Sequence, residues 1–487
     1  MSTSSPLLDA STPVAPPSRR RWLILFILAL TQLVVVLDST IVNIALPEAQ
    51  ASLDLSDSQR QWVITAYALA FGALLLLGGR IADYWGRKRA FLVGMVGFGA
   101  ASAFGGFAQS GAELIAARGL QGAFAALMAP AALALLTVTF TGGRERNTAF
   151  AVFGSVAGAG AALGLVLGGV LTEFADWRWC LWVNVPVAII ALIAGLVYMT
   201  ESKADGDNRY DWWGTVTIVL GLGSLVYGFT LAEDGWGSVQ TIGFLAAGVA
   251  LIAAFVLIES RSGQPLLPLR VILNRVRGGA LLIQAISGSV MIGAVLYLIF
   301  HLQIVLGFGP LEAGLASLPM TIVIGVVAPI ATKLLPRVGP RPMLIVGPLF
   351  AAAGLMLLTT ISVGGSYAGE VLPGLVVLGI GMGMLFVTMQ NLALVGVAPH
   401  DAGAASATSN ASMQIGGSIG LSIFTTLYAS AVRGGSGPSA LTSLVDGYHV
   451  VFVAAAIAMV VASLLAVFLI RGTKEELLPA DERIPAL

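Results

Sequence analysis

Residues 22–47 read WLILFILALTQLVVVLDSTIVNIALP, an apolar run holding a single carboxylate, Asp38, well inside it. As a helix, the 25 residues from Trp22 to Leu46 cross a hydrocarbon core about 30 Å thick at about 1.5 Å per residue. Asp38 then lies roughly 24 Å along the axis from Trp22 and about 12 Å short of the other end. Its short side chain cannot reach bulk water from there. An aspartate at the centre of a lipid-facing helix costs about 2.5 to 3.5 kcal/mol on insertion scales. The carboxylate is therefore expected to face a protein interior or a watery cavity, where it can take up and release a proton.

The rest of the chain has the same character. Of 487 residues, 57% are hydrophobic and only 10% charged, far outside the range of a soluble globular domain. Fourteen apolar runs are long enough to span, from 22–46 and 60–81 at the start to 402–430 and 448–470 at the end. The fold class is an all-α polytopic membrane protein. The 59 glycines, many of them inside these runs, suit close helix approach in lipid. The 25 basic residues are unevenly placed: 21 fall in the termini and loops assigned to the cytoplasm, against Arg60, Arg178 and Arg433 outside and Arg118 within a span. That bias predicts a multi-pass protein of the cytoplasmic membrane with both termini inside. Residues 1–21, rich in serine and proline and ending in three arginines, read as a disordered cytoplasmic tail. The apolar run that follows is too long for a signal core. With Cys180 as the only cysteine, no internal disulfide forms.

Three stretches carry more than hydropathy. At 78–92 the sequence is GGRIADYWGRKRAFL, and Arg87, Lys88 and Arg89 between two spans form the strongest local topology signal. Two glycines there allow a tight turn, and Asp83 at the membrane edge can accept hydrogen bonds from the free amides of a helix start. An echo follows 253 residues later in TKLLPRVGPRP, at 332–342, where Gly339 stands for Gly86, Arg341 for Lys88 and Pro336 for the aspartate. Related halves of this kind mark an internally repeated transporter. In the fourth span, LIAARGLQGAFAAL puts Arg118 about 7 Å inside the helix end, at a depth similar to that of Asp38. Paired, each charge lowers the cost of the other; unpaired, Arg118 would snorkel to the headgroups. The fifth span sets Gly160, Gly164 and Gly168 at intervals of four, with Gly169 beside them, giving a smooth face for another helix.

The loop of Gly79, Asp83, Gly86, Arg87 and Lys88 resembles the loop signature of the major facilitator superfamily, with Ile81 and Tyr84 as departures. The R-G-L-Q-G at Arg118 resembles the superfamily's fourth-helix motif. The glycines at 160, 164, 168 and 169 resemble its antiporter signature, with Leu165 where a proline belongs. LDSTIVNIALP at 37–47 and WRWCLWVNVP at 177–186 look like the fourteen-span drug:proton antiporters. The resemblance implies six-helix bundles at 22–199 and 278–470, two extra spans with cytoplasmic linkers at 200–277, and a cytoplasmic tail at 471–487. It implies that Asp38 and Arg118 couple protons, that the loop latches the cytoplasmic side by docking Asp83 near residues 402–405, and that the glycines serve helix packing.

The second half is poor in charge. His301, near the outer end of the ninth span, is expected as an interfacial group within reach of water. Gln284, Gln390, Asn391, Asn410 and Gln414 are candidates for a polar substrate cavity. Glu233 and Asp234 read as a solvated outer loop. Neither a phosphate-binding G-x-x-x-x-G-K-[ST] nor a metal-ligand cluster stands in the sequence, so neither enzyme nor cofactor is expected and the proton gradient is the energy source. The expected partners are a hydrophobic small molecule of at most one positive charge, protons and the bilayer, with no nucleic acid, for a monomeric protein. The function expected is export of drugs, antibiotics or secondary metabolites by proton antiport. A proton-coupled permease or uptake symporter of the same fold is the alternative.

Overall fold

A computed structural model describes residues 18–204, 211–232, 235–263, 265–267, 269–397, 402–434, 439–472 and 474–477. The expectations for most of both tails and for Glu233 and Asp234 fall outside the described residues. Among the described residues, fourteen helices are long and apolar enough to cross a bilayer. They are α1 (Arg19–Leu53), α2 (Asp57–Trp85), α3 (Arg87–Gly106), α4 (Gly111–Thr139), α5 (Arg144–Phe174), α6 (Trp179–Tyr198) and α7 (Trp212–Leu231). The second set is α8 (Val239–Arg261), α9 (Arg275–Val305), α10 (Pro310–Val338), α11 (Pro340–Thr360), α12 (Tyr367–Ala393), α13 (Ala404–Gly434) and α14 (Ala440–Leu469). No strand occurs among the described residues.

Helix ends depart from the apolar runs because caps, and not hydropathy, set them. α1 continues through Pro47 to Leu53, so the loop expected over 48–59 shrinks to a turn in which Asp54 takes φ 49°. α2 starts at Asp57 because Ser56 and Gln59 cap each other's backbone amides in a capping box. α14 starts at Ala440, eight residues before its apolar run, where the Ser439 hydroxyl accepts from the Thr442 amide. The repeat suggested by the echoed loop is present in the backbone. Gly86 (φ +130°) and Gly339 (φ +86°) each turn the chain between consecutive helices, in a region side chains rarely adopt.

Small residues decide the closest crossings. In α2 and α4, a Cβ at Gly78 would collide with the Ala126 carbonyl and one at Gly122 with the Tyr67 carbonyl. Along α5, Gly160 meets Leu33 and Val36, Gly164 meets Leu37 and Thr40, and Gly168 meets Ile41, so the stripe of four-residue spacing packs on α1. Gly169, one position round the helix, instead faces α10, where a Cβ would collide with the Leu311 backbone.

The two bundles meet along α2 with α13 and along α5 with α10. An even number of crossings returns the chain to the face where it starts; we call this the terminal face. At the opposite face the bundles are tied together. Gln303 Nε2 donates to the Ile44 carbonyl at 3.0 Å, and the Leu311 amide donates to Glu173 Oε2 at 2.9 Å. Toward the terminal face α5 and α10 part: nothing stands within 4 Å of where a Cβ would sit on Gly154, Gly158 or Gly325. The α5–α10 contact is thus confined to the side nearer the opposite face.

The extra pair, α7 and α8, pack on each other, and α7 touches both bundles. Gln61 of α2 donates to Thr230 Oγ1 at 3.3 Å and to Ser422 Oγ of α13 at 2.5 Å, and Thr426 of α13 donates to the Phe229 carbonyl at 2.9 Å. An apolar cavity of about 440 Å³ lies between α2 and this pair, lined by Trp62, Leu69, Leu220, Tyr227 and Phe244 among others.

Gly122→Ala is expected to lower the thermal unfolding midpoint of the purified protein, at a cost of roughly 1 to 3 kcal/mol for overpacking the α2–α4 crossing. Gly119→Ala, where nothing lies within 4 Å, should leave the midpoint unchanged.

Candidate functional site

Asp38 and Arg118 meet in the interior of the first bundle, 0% and 2% exposed. Arg118 Nη1 donates to Asp38 Oδ2 at 2.6 Å. The other carboxylate oxygen accepts from Gln121 Nε2 at 2.9 Å and from Asn184 Nδ2 at 2.7 Å. Gln121 also takes a bond from Arg118 Nη1 at 2.9 Å and donates to Ser102 Oγ at 2.7 Å. Arg118 Nε donates to the Val63 carbonyl at 3.2 Å, and the guanidinium carbon lies 4.4 Å from the Tyr67 ring centroid. Five helices, α1, α2, α3, α4 and α6, thus contribute to one polar cluster in an apolar surround. Arg118 does not snorkel; its head points inward to the acid.

With Asp38 ionised, a guanidinium and two amides satisfy both its oxygens, which offsets the cost of desolvation. Loss of the acid's charge would leave Arg118 an uncompensated buried cation. Gln121, Asn184, Ser102 and Tyr67 were not among the residues singled out from sequence. Gln121 was the most discoverable, three residues after Arg118 on one helix face and inside the quoted motif. Asn184, a lone amide in the tryptophan-rich stretch, offered the same kind of signal.

The loop at 79–89 is ordered differently from the expectation. Asp83 Oδ1 accepts from Arg87 at 3.0 and 3.2 Å, within the same loop, and makes no bond to α13 among the described residues. The side chains of Ala402 and Gly403 lie outside the described set. The carboxylate that caps the start of α3 is Glu201, which accepts from the amides of Lys88 at 3.0 Å and Arg89 at 3.2 Å. Lys88 Nζ in turn donates to the last carbonyls of α6, Leu196 at 2.9 Å and Met199 at 2.8 Å. Gly86 makes room for this: a Cβ there would press on Glu201. Gly79 sits in ordinary contact with Pro130.

Two expectations about exposure are corrected. His301 is fully buried, its ring edge-on to Tyr448 at 6.0 Å and neither ring nitrogen hydrogen-bonded. Its depth along α9 was readable, but the direction in which it points was set by α14. Arg60, counted among outer-loop charges, belongs to the first turn of α2 and is 4% exposed. Of the proposed cavity amides, Gln284 is buried with Nε2 3.5 Å from Met413 Sδ and its oxygen unpartnered. Gln414 stands at the α2 crossing beside Gly72. Gln390 and Asn391 are half-buried on α12, while Asn410 is exposed and bonds the Ser406 carbonyl of its own helix.

Two helical bundles joined at one face, with a charge pair buried inside the first, make up a polytopic membrane transporter. The chain belongs to the Major Facilitator Superfamily, whose family model matches residues 28–421. Its relatives place it with the superfamily's drug-efflux transporters. It is 44% identical over 475 residues to the puromycin resistance protein pur8 of Streptomyces alboniger, covering 96% of this chain and 94% of that one. It is 36% identical over 425 residues to the tetracenomycin C resistance and export protein of Streptomyces glaucescens, covering 87% and 79%. Among solved structures, a bacterial homologue of the human lysosomal transporter Spinster, inward-facing and occupied, superposes with a TM-score of 0.65 at 15% identity. That match covers 96% of this chain and 100% of the other and shows the shared fold.

Arg118→Leu strands a buried acid and is expected to cost about 3 to 5 kcal/mol. The double variant Asp38→Leu, Arg118→Leu should be the more stable of the two in thermal melts of purified protein near neutral pH.

Proposed function

We propose that this protein exports hydrophobic drug-like molecules in exchange for protons, with Asp38 as the proton carrier. The observation that supports this reading best is the Asp38–Arg118 pair, a titratable acid held entirely inside the first bundle with a charge partner able to exchange with a proton. We take the terminal face as cytoplasmic, following the bias of basic residues, so the face where the bundles are tied together is the outer one.

In the cycle, the outward-open form lets Asp38 take a proton, which frees Arg118 and the amides of Gln121 and Asn184. Reorientation exposes the site to the cytoplasm. There substrate entry and the return of Arg118 favour the ionised acid, and the proton leaves. One proton moving down a membrane potential supplies about 2.3 kcal/mol per 100 mV, to which the pH difference adds. The glycine stripe on α5 gives α1 a smooth bearing surface during this movement, and Asp83 exchanges Arg87 for the start of α13 when the cytoplasmic face closes. The protein needs no cofactor and functions as a monomer.

Export is favoured over uptake by the relatives, which are named for resistance and export. Those names, with the apolar cavity beside α2, support a hydrophobic antibiotic or secondary metabolite as substrate. A single buried acid suits a neutral molecule, a zwitterion or a monovalent cation, since each desolvated positive charge seeks a partner.

In proteoliposomes with an imposed pH gradient, wild type should extrude substrate uphill while Asp38→Asn falls to background and still equilibrates substrate downhill. Uphill, pH-driven extrusion by the Asn variant would remove the basis of the proposal.

A further inference from the structure

At the closed face, the first turn of α2 inserts Arg60 into the second bundle. Its guanidinium carbon lies 4.4 Å from the ring centroid of Phe300, 5.7 Å from that of Tyr428 and 6.0 Å from that of Tyr297. Tyr448 completes the wall, stacked on Tyr428 at 5.6 Å and 6.0 Å from Tyr297. All four rings are buried, and Tyr297 is fixed by a bond between its hydroxyl and Thr425 Oγ1 at 2.9 Å. Two π-helical turns, Val290–Ala294 and His301–Val305, bracket Tyr297 and Phe300 on α9. Such turns interrupt regular helix most often at functional positions.

The division of parts is informative. The rings belong to α9, α13 and α14, whereas the cation belongs to α2. Its carboxylate and amide partners come from the first bundle, Asp57 Oδ1 at 2.9 Å and Gln50 Oε1 at 3.3 Å, while the neutral Tyr428 hydroxyl of the second bundle bonds it as well. When the bundles separate at this face, Arg60 leaves with both partners and no charge is stranded on the other side. A receptor built of carboxylates would be left ionised and unpaired by that movement. An aromatic box is left neutral, and the rings of Phe300, Tyr428 and Tyr297 that now hold Arg60 are suited to another cation.

We propose that the box of Tyr297, Phe300, Tyr428 and Tyr448 is an exit site for monovalent organic cations, namely guanidinium, amidinium or alkylated ammonium groups. Arg60 is the built-in competitor that expels them as the face closes. This rests on the alternating-access reading above. It adds a second recognition point, separate from the Asp38 cluster, and a cause for one-way release: the closing bundle refills the box with its own cation, so the departing one cannot re-enter.

The test uses the full-length protein in lipid nanodiscs and calorimetric titration with phenethylguanidinium, beside phenethylurea, which has the same shape and no charge. Arg60→Gln should raise affinity for the guanidinium about tenfold, the size expected for losing a desolvated cation–π competitor, and leave the urea unchanged. Arg60→Lys, which keeps a weaker competing cation, should give a smaller gain and serves should the Gln variant not fold. Adding Phe300→Leu to either should remove the gain. Unaltered affinity in the folded variants, or equal gains for the two probes, would overturn the proposal. Because the titration uses no gradient, its failure is distinguishable from failure of proton coupling at Asp38.

Discussion

The cost of keeping an ion out of water governs this molecule. Asp38 and Arg118 can stay inside the first bundle only as a pair, and the pair is tolerable only because Gln121 and Asn184 complete the acid's hydrogen bonding. The same constraint makes the cluster responsive. A fully satisfied ion pair in a low-dielectric interior turns one added proton into the loss of an attraction far stronger than it would be in water.

Movement also needs contacts that release without leaving charges behind. Across the bundle interface these are mostly backbone carbonyls, hydroxyls, amides and small-residue crossings, with the Arg60 guanidinium and the Glu173 carboxylate the charged groups among the contacts described above. The close α2–α4 crossings within the first bundle, Gly78 against Ala126 and Gly122 against Tyr67, are of another kind: they hold α2 and α4 as a rigid unit carrying half of the polar cluster. Rigid bundles joined by separable contacts with few charges are what a rocking carrier requires.

Span number, the depth of Asp38 and Arg118, and the glycine stripe were legible in the sequence because each depends on local quantities: hydropathy over about 20 residues, rise per residue, and side-chain size at a fixed interval. What the sequence concealed was direction around each helix axis. His301 at the end of an apolar run gives no sign of whether it faces headgroups or Tyr448, and Arg60 after a serine-rich turn reads as a solvated charge. Both are settled by neighbours more than a hundred residues away. Helix ends at Leu53 and Ala440 were missed for a different reason, since Pro47 and the polar Thr442, Ser443 and Asp446 mark the edge of the hydrocarbon and not the end of the backbone hydrogen bonding. The loop aspartate shows a third case. Residue type and spacing identify a carboxylate near a helix start, but Glu201, distant in sequence, fills that position in this conformation.

The bonds that α7 makes to both α2 and α13 bear on how the closed face can part. A helix clasped by both moving bodies cannot follow either one completely. If it stays with the second bundle, Gln61 must let go of Thr230 and slide along a lipid-facing wall. The inserted pair would then act as a side plate, keeping acyl chains out of the widening seam between α2 and α13 and limiting its span, so that the opened path faces water and not the bilayer.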